Sequence, residues 1–208
     1  MQRLATILSC VIRKQKNRTQ AFSLSTMCLK AVRQLGLLRT MKAKSMCSLI
    51  QKVYEVTPQM NILFINGSPN KNGNTANLAK NLMAGKAYQT LNLADYKVYG
   101  YGQQFEDDQF AEIVEKMKEA DAVVIGSPVY WHSMSGMVRN LLDRFYGPVP
   151  SGSLKGRKFV FLFQGAAPEK WMFEKGEYTM SRFAKMYGMT YVGMATNIRE
   201  AKALSGQI

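Results

Sequence analysis

The chain has 208 residues, 47% of them hydrophobic, which is enough to bury one core of ordinary domain size. Its formal net charge of +14 is unevenly divided, because residues 1–59 hold 11 Lys and Arg and a single acid, Glu55. Residues 60–208 hold the other 17 basic and 13 acidic residues, so this larger part is only mildly cationic. We therefore expect no nucleic-acid partner. A membrane partner is not expected either, because no apolar run approaches the ~20 residues of a membrane-spanning helix.

The three cysteines divide in the same way. Cys10, Cys28 and Cys47 all lie in residues 1–59 and show no C-x-x-C spacing. This argues against a zinc site, an iron–sulfur site or a disulfide scaffold, and residues 60–208 have no thiol nucleophile. We predict no metal site.

Residues 1–59 are predicted to form a basic N-terminal extension, either poorly structured or helical, that lies outside the functional domain. An organellar transit peptide also fits the Arg-rich, Ser-containing, acid-poor composition. A secretory signal fits less well, since the apolar run is about nine residues long. A small helical nucleic-acid-binding module would explain the charge, but no helix-turn-helix pattern is present. The second predicted domain is residues 60–208.

From residue 61 the pattern alternates between short apolar strands and amphipathic helices. Phe110, Ile113, Val114 and Met117 give the clearest helical period. Asp107 and Asp108 are expected in the first turn of that helix. Strands are predicted at 62–66, 88–93, 122–126, 158–163 and 190–195, and further helices at 75–85, 137–145, 177–187 and 199–204. Such alternation predicts an α/β fold with a five-stranded parallel sheet and helices on both faces.

The first strand is followed by Asn66-Gly-Ser-Pro-Asn-Lys-Asn-Gly-Asn-Thr75. This loop has no G-K-[ST] step and no obvious acidic Mg²⁺ ligand. Hydroxyl and amide groups near a helix N-terminus instead suit a monophosphate held without a metal. An ordinary Asn/Gly turn is the alternative.

Two further loops follow strands and are expected at the same edge of the sheet, where ligands of such folds bind. Residues 127–133 carry adjacent aromatics, Tyr130 and Trp131, which offer a flat wall to a planar heterocycle. Core packing of these rings is the alternative. His132 is the chain's one histidine, and its catalytic role is left open. Ser133 or Ser135 is expected to cap the next helix. Residues 164–168 include the small residues Gly165, Ala166 and Ala167, which permit close approach of a ligand and could border the same ring.

Asn66–Thr75, together with Gly126-Ser-Pro-Val-Tyr-Trp131, Ser133-Met-Ser-Gly136 and Leu142-Asp-Arg144, resembles the flavodoxin-like NAD(P)H-dependent FMN reductase family. The resemblance covers about residues 60–195. It implies a flavodoxin-like three-layer sandwich, non-covalent FMN, and hydride transfer from NADH or NADPH to a quinone, a nitro or azo compound, or free flavin. The resemblance implies FMN-phosphate binding by Ser68, Asn70, Asn74 and Thr75. It also implies that Pro128, Val129, Tyr130 and Trp131 line the isoalloxazine ring and that Gln164 and Gly165 close its third side.

The chain departs from the family in three places. Many relatives carry cysteines after the second strand, where this chain has Tyr99-Gly-Tyr-Gly-Gln103, and this removes an iron–sulfur or thiol role. The last helix is short, and residues 1–59 have no counterpart in the family pattern. We predict a cytoplasmic enzyme, a homodimer like many relatives, with no acid–base catalytic residue. The alternatives are a flavodoxin-like carrier that passes electrons to protein partners and a flavin-sensing nucleic-acid binder.

Overall fold

The computed structural model describes residues 60–208, and the predictions made for residues 1–59 lie outside the described residues. The strands are β1 (Ile62–Asn66), β2 (Gln89–Asn92), β3 (Ala122–Tyr130), β4 (Ser133–Met134), β5 (Lys158–Gln164) and β6 (Thr190–Ala195). The helices are α1 (Asn74–Leu82), α2 (Phe110–Glu119), α3 (Gly136–Phe145), α4 (Lys170–Met186) and α5 (Ile198–Leu204).

The sheet has the order β2-β1-β3-β5-β6, with all of these strands parallel, while β4 pairs antiparallel with the end of β3. Its central strands β1, β3 and β5 are almost wholly buried, which explains their continuous apolar sequences. Asn66 pairs with Gly126, and Pro128 pairs with Gln164. The carboxyl ends of the three central strands therefore meet at one edge.

Side chains that alternate along the strands supply two hydrophobic cores. Ile62 and Phe64 of β1 pack in the core formed with α1 and α5, whereas Leu63 and Ile65 pack in the core formed with α2, α3 and α4. The predicted three-layer, flavodoxin-like α/β architecture with a five-stranded parallel sheet is confirmed. Within the described residues, no helix combines the length and apolar character needed to cross a membrane.

Several element boundaries differ from those predicted, and three of the differences matter most here. β3 continues to Tyr130 instead of ending at Gly126, so Pro128 and Val129 lie in a strand and not in a loop. Helix α4 begins at Lys170, seven residues before the predicted start. Helix α2 begins at Phe110, so the two acids expected in its first turn precede it.

Candidate functional site

The loop after β1 is held by its own side chains. Asn66 is fully buried; its Oδ1 accepts a hydrogen bond from the Ser68 amide at 3.1 Å, and its Nδ2 donates to Oδ1 of Asn92 at 3.2 Å. The Ser68 hydroxyl accepts from the Asn70 amide at 3.2 Å, and Asn70 Oδ1 accepts from the Asn72 amide at 3.1 Å. These bonds fix the loop's path from the strand to the helix.

The first turn of α1 has the features of an anion site. Gly73 occupies the N-cap position, no side chain caps the helix, and the first turn contains no acid. Thr75 lies in that turn and is completely buried. Lys71 in the loop is paired with Asp95 at 2.6 Å, so its charge is already partly neutralised. Uncapped amides at the positive end of a helix dipole attract a negatively charged group.

The end of β1 is joined to the β3–α3 region by buried hydrogen bonds. The Gly67 amide donates to the Gly126 carbonyl at 2.8 Å, and the Ser135 hydroxyl donates to the Gly67 carbonyl at 2.7 Å. Ser135 Oγ also accepts from the Val138 amide at 3.4 Å, which makes Ser135 the N-cap of α3, one of the two residues expected there. The Ser127 hydroxyl accepts from the Ser135 amide at 2.8 Å. Hydrogen bonds thus connect the first and second loops directly.

Helix α1 packs closely against the sheet at Gly126 of β3. A Cβ atom at this position would lie 2.6 Å from Thr75 Cγ2 and 2.9 Å from Phe64 Cε2. Both distances are far shorter than van der Waals contact, so only glycine fits here. The glycine lets the first turn of α1 rest directly against β3.

Beyond Pro128, β3 and β4 form a tight hairpin. Val129 pairs with Met134 and Tyr130 with Ser133, which leaves Trp131 and His132 as the two turn residues. Their φ angles of +46° and +64° are left-handed, as a two-residue turn of this type requires. Asn and Gly normally occupy such positions, so a Trp-His pair carries backbone strain. The Trp131 side chain is 94% exposed.

The third loop, after β5, closes on the other two. Gln164 Nε2 donates a hydrogen bond of 3.2 Å to the Thr75 hydroxyl oxygen in the first turn of α1. A Cβ at Gly165 would lie 3.0 Å from Val129 Cβ, so the loop backbone packs tightly against the hairpin. Residues of all three loops therefore meet at the carboxyl edge of the sheet.

The ten predicted site residues differ in their surroundings. Ser68, Thr75 and Pro128 are buried, and Val129, Gln164 and Gly165 are partly buried. The exposed members are Asn70, Asn74, Tyr130 and Trp131. Contacts connect Thr75 to Gln164 and Val129 to Gly165, whereas Trp131 stands clear of the others at the hairpin tip.

The predicted site residues do not include Trp171, the second residue of α4. Its indole ring lies 5.7 Å from the His132 imidazole, centroid to centroid, and its Nε1–H donates to Glu169 Oε2 at 3.0 Å. In the sequence, Trp171 is one of two tryptophans in the chain and lies three residues beyond the 164–168 loop, which could have pointed to it.

The loop between β2 and α2 is tied to α3 by polar contacts. Arg144 forms a bidentate ion pair with Asp108 and donates to the Tyr99 carbonyl at 3.2 Å, and Asn140 donates to the Val98 carbonyl at 2.6 Å. Burial of the Asp108 carboxyl raises its pKa, but the Arg144 guanidinium and two backbone amides outweigh burial. The pKa of Asp108 is held below its ordinary value.

An open cleft of about 390 Å³ lies along this loop and shares none of the predicted site residues. Its lining residues are Gln103, Gln104, Phe105, Glu106, Asp108 and Arg144. In the part of the chain that the structure describes, no three His, Cys, Asp or Glu side chains are grouped as a metal site would require.

Known proteins resemble this chain in sequence. The sequence model of the family described as NADPH-dependent FMN reductase matches residues 60–201. An iron–sulfur flavoprotein of Archaeoglobus fulgidus is 37% identical over 98 residues, which are 41% of this chain and 48% of the relative. An iron–sulfur flavoprotein of Methanocaldococcus jannaschii is 35% identical over 99 residues, covering 41% and 51% of the two chains. The chain thus spans about half the length of these curated relatives.

The fold is also found among solved structures. A structure described as a flavone reductase superposes with a TM-score of 0.60 at 16% sequence identity, covering 72% of this chain and 62% of that one. At this identity the likeness establishes the fold alone.

Proposed function

Since the chain belongs to the NADPH-dependent FMN reductase family, we propose that it is an FMN-dependent NAD(P)H oxidoreductase acting on a small acceptor: a quinone, a nitro or azo compound, or free flavin. FMN is the cofactor, and NAD(P)H is the co-substrate that the family description implies. Bound FMN supplies a centre that accepts a hydride and passes reducing equivalents to the acceptor. With a quinone, the balance is NAD(P)H, one proton and quinone giving NAD(P)⁺ and hydroquinone.

The hydrogen bond between Gln164 and Thr75 is the observation that supports this proposal most strongly. It joins the loop proposed to border the ring to the helix turn proposed to hold the phosphate. The two ends of one elongated ligand would therefore be fixed relative to each other. Binding energy spent on the phosphate would position the ring, which is what a transfer reaction requires.

The residues present fit the phosphate of FMN. The first turn of α1 offers uncapped backbone amides and contains no acid, and the Ser68 hydroxyl lies in the loop that precedes it. Asn70 and Asn74 are exposed beside it and are proposed to add amide donors. Uncharged donors at a helix N-terminus bind a monophosphate without a metal.

The residues at the other end fit a flat ring. Pro128 and Val129 lie at the end of β3, so the strand backbone presents a rigid edge, and Gly165 permits close approach opposite them. Tyr130 and Trp131 are proposed to cover the ring's faces. We propose no side-chain acid or base, because stacking and alignment carry hydride transfer.

A small acceptor is favoured over a protein electron partner by the exposed aromatic side chains beside this edge. Tyr130 is 47% and Trp171 45% exposed. An electron carrier would instead be expected to dock through charged surface, and carriers of this fold are usually acidic. We further propose that the protein works in the cytoplasm. We also propose that it is a homodimer, and the molecular mass measured by light scattering would test the dimer.

The test starts from the purified full chain. We expect a flavin absorbance spectrum, or uptake of added FMN with much weaker uptake of riboflavin, and NADPH oxidation with menadione in the absence of any protein partner. Absence of FMN uptake would refute the proposal. FMN uptake without menadione reduction would favour the electron carrier.

A matched pair of variants tests the phosphate assignment. Thr75→Val keeps the shape of the side chain but removes the hydroxyl, and we expect it to weaken FMN binding about tenfold, the equivalent of one hydrogen bond to a charged group. Thr179→Val, on α4, removes a hydroxyl that bonds only the Lys175 carbonyl and should leave FMN affinity unchanged. Equal affinities of the two variants would contradict the assignment.

A further inference from the structure

We propose that Trp171 is a specificity-determining residue, whose indole ring stacks on planar acceptors at the mouth of the FMN site. This inference rests on the proposed function and names the class of acceptor it favours: fused or extended aromatic rings such as naphthoquinones. Trp171 acts by binding and takes no proton or hydride.

The Trp171 ring is held on two sides and open on a third. Its indole N–H is fixed by the Glu169 carboxylate at 3.0 Å, and its ring packs on His132 at 5.7 Å with an interplanar angle of 39°. The side chain is nevertheless 45% exposed. A large apolar surface that is already ordered loses little conformational entropy when a ligand covers it.

The hairpin tip that supports this ring is strained. Trp131 and His132 both adopt left-handed backbone conformations, and the Trp131 ring is 94% exposed, so intramolecular packing of that ring does not offset the strain. Strain of this kind concentrates at ligand sites. A planar ligand lying on the Trp171 ring would also lie beside the His132 ring of this tip.

This aromatic rim, which we define as Tyr130, Trp131, His132 and Trp171, borders the proposed ring site. The hairpin backbone is packed against Gly165 through Val129, and α4 follows directly from the loop that carries Gly165. A ligand lying on the rim is therefore next to the residues proposed to hold the flavin ring. Aromatic side chains prefer offset or edge contacts with aromatic ligands, and contact area favours the larger ring.

The kinetic test uses the FMN-loaded full chain with two acceptors. Trp171→Ala should lower kcat/KM for menadione about tenfold, mainly through KM, and should change ferricyanide reduction less than twofold, because ferricyanide has no aromatic ring. Trp171→Phe should recover most of the menadione activity. Tyr178→Ala removes a 68% exposed ring farther along α4 and serves as the matched control. FMN content is measured for every variant.

A second readout needs no turnover. The chain has two tryptophans, Trp131 and Trp171, so in Trp131→Phe all tryptophan fluorescence comes from Trp171. We expect menadione to quench this emission saturably in the FMN-free full chain. Quenching no stronger than that of free N-acetyltryptophanamide would overturn the proposal.

Other outcomes of these experiments would also test the role proposed for Trp171. Equal loss of menadione and ferricyanide activity in Trp171→Ala, or a menadione KM equal to that of Tyr178→Ala, would overturn the specificity role. A change in molecular mass by light scattering would assign the indole to a subunit contact instead. If the wild type binds no FMN, the proposed function fails, while the fluorescence titration still tests the rim as an aromatic-binding surface.

Discussion

Gln164 Nε2 donates a 3.2 Å hydrogen bond to the hydroxyl oxygen of Thr75, a residue 89 positions earlier in the chain. The donor ends β5 and the acceptor is buried in the first turn of α1. One hydrogen bond thus couples the two ends of the proposed cofactor site.

Gln164→Ala removes this bond and leaves the Thr75 hydroxyl without its donor. We expect a loss of about 1 kcal/mol in the free energy of unfolding and a several-fold weaker FMN affinity. Urea unfolding and FMN titration measure the two effects. Gln89→Ala, an exposed glutamine on the edge strand, is the control and should change neither.

Gly126→Ala should be among the most damaging single-methyl changes in the domain. The added Cβ would meet Thr75 Cγ2 at 2.6 Å and Phe64 Cε2 at 2.9 Å, so α1 or the strand must shift. Overpacking of this kind costs roughly 1–3 kcal/mol. Gly136→Ala is the control, because nothing lies within 4 Å of its Cβ position. Similar urea midpoints for both variants would refute the tight contact.

The ion pair between Asp108 and Arg144 predicts a pH-dependent contribution to stability. The folded-state pKa of Asp108 lies below its ordinary value, so the pair's contribution is complete above about pH 4. It is lost as the pH falls through the folded-state pKa. Asp108→Asn should therefore be about 2 kcal/mol less stable than wild type at pH 7, with the difference shrinking below pH 4.

Asp143→Asn is the matched control for that measurement. Asp143 pairs with Arg139 one helical turn away on the exposed face of α3, and both side chains are roughly half exposed. Such surface pairs contribute well under 1 kcal/mol. A difference between wild type and Asp108→Asn that stays constant from pH 7 to pH 2 would argue against the ion pair.

Because the hairpin tip is strained, we predict that a variant without the strain is more stable but less active. The double variant Trp131→Asn with His132→Gly places residues that readily adopt a left-handed conformation at both turn positions. This should remove about 1–2 kcal/mol of backbone strain at each position. Loss of the ring contact between His132 and Trp171 costs about 0.5–1.5 kcal/mol and offsets part of that gain in stability. We expect the FMN-free protein to gain about 1 kcal/mol or more and menadione reduction to fall. A lower melting temperature would contradict this balance.

Much of the fold follows from short-range pattern. The sequence predicts β1 at its observed bounds, because an apolar run bounded by polar residues is typical of a strand buried on both faces. The sequence predicts α4 only from residue 177 onward, and Gly176, which has low helix propensity, immediately precedes that point. The structure supplies the tertiary reason for this glycine: its Cβ would lie 2.6 Å from the Phe163 ring, so it lets the helix approach β5.

The candidate site was harder to place. Pro128 and adjacent aromatics resemble a loop in sequence, yet β3 continues through them, and a Trp-His pair is not a recognisable turn sequence. The link between Gln164 and Thr75, and the neighbourhood of Trp171, depend on distant segments meeting in space. No local pattern contains that information.

The packing at Gly126 has a consequence for the life of the protein in a cell. The first turn of α1, which we propose holds the phosphate, packs through Thr75 on the central strand with no room for a methyl group at Gly126. Opening of this turn would therefore also break contacts in the core. Occupancy by FMN would then stabilise the whole domain, by about 2.7 kcal/mol at a hundredfold excess over Kd. A shortage of flavin would reduce the steady-state amount of the protein through proteolysis, as well as the activity of each molecule.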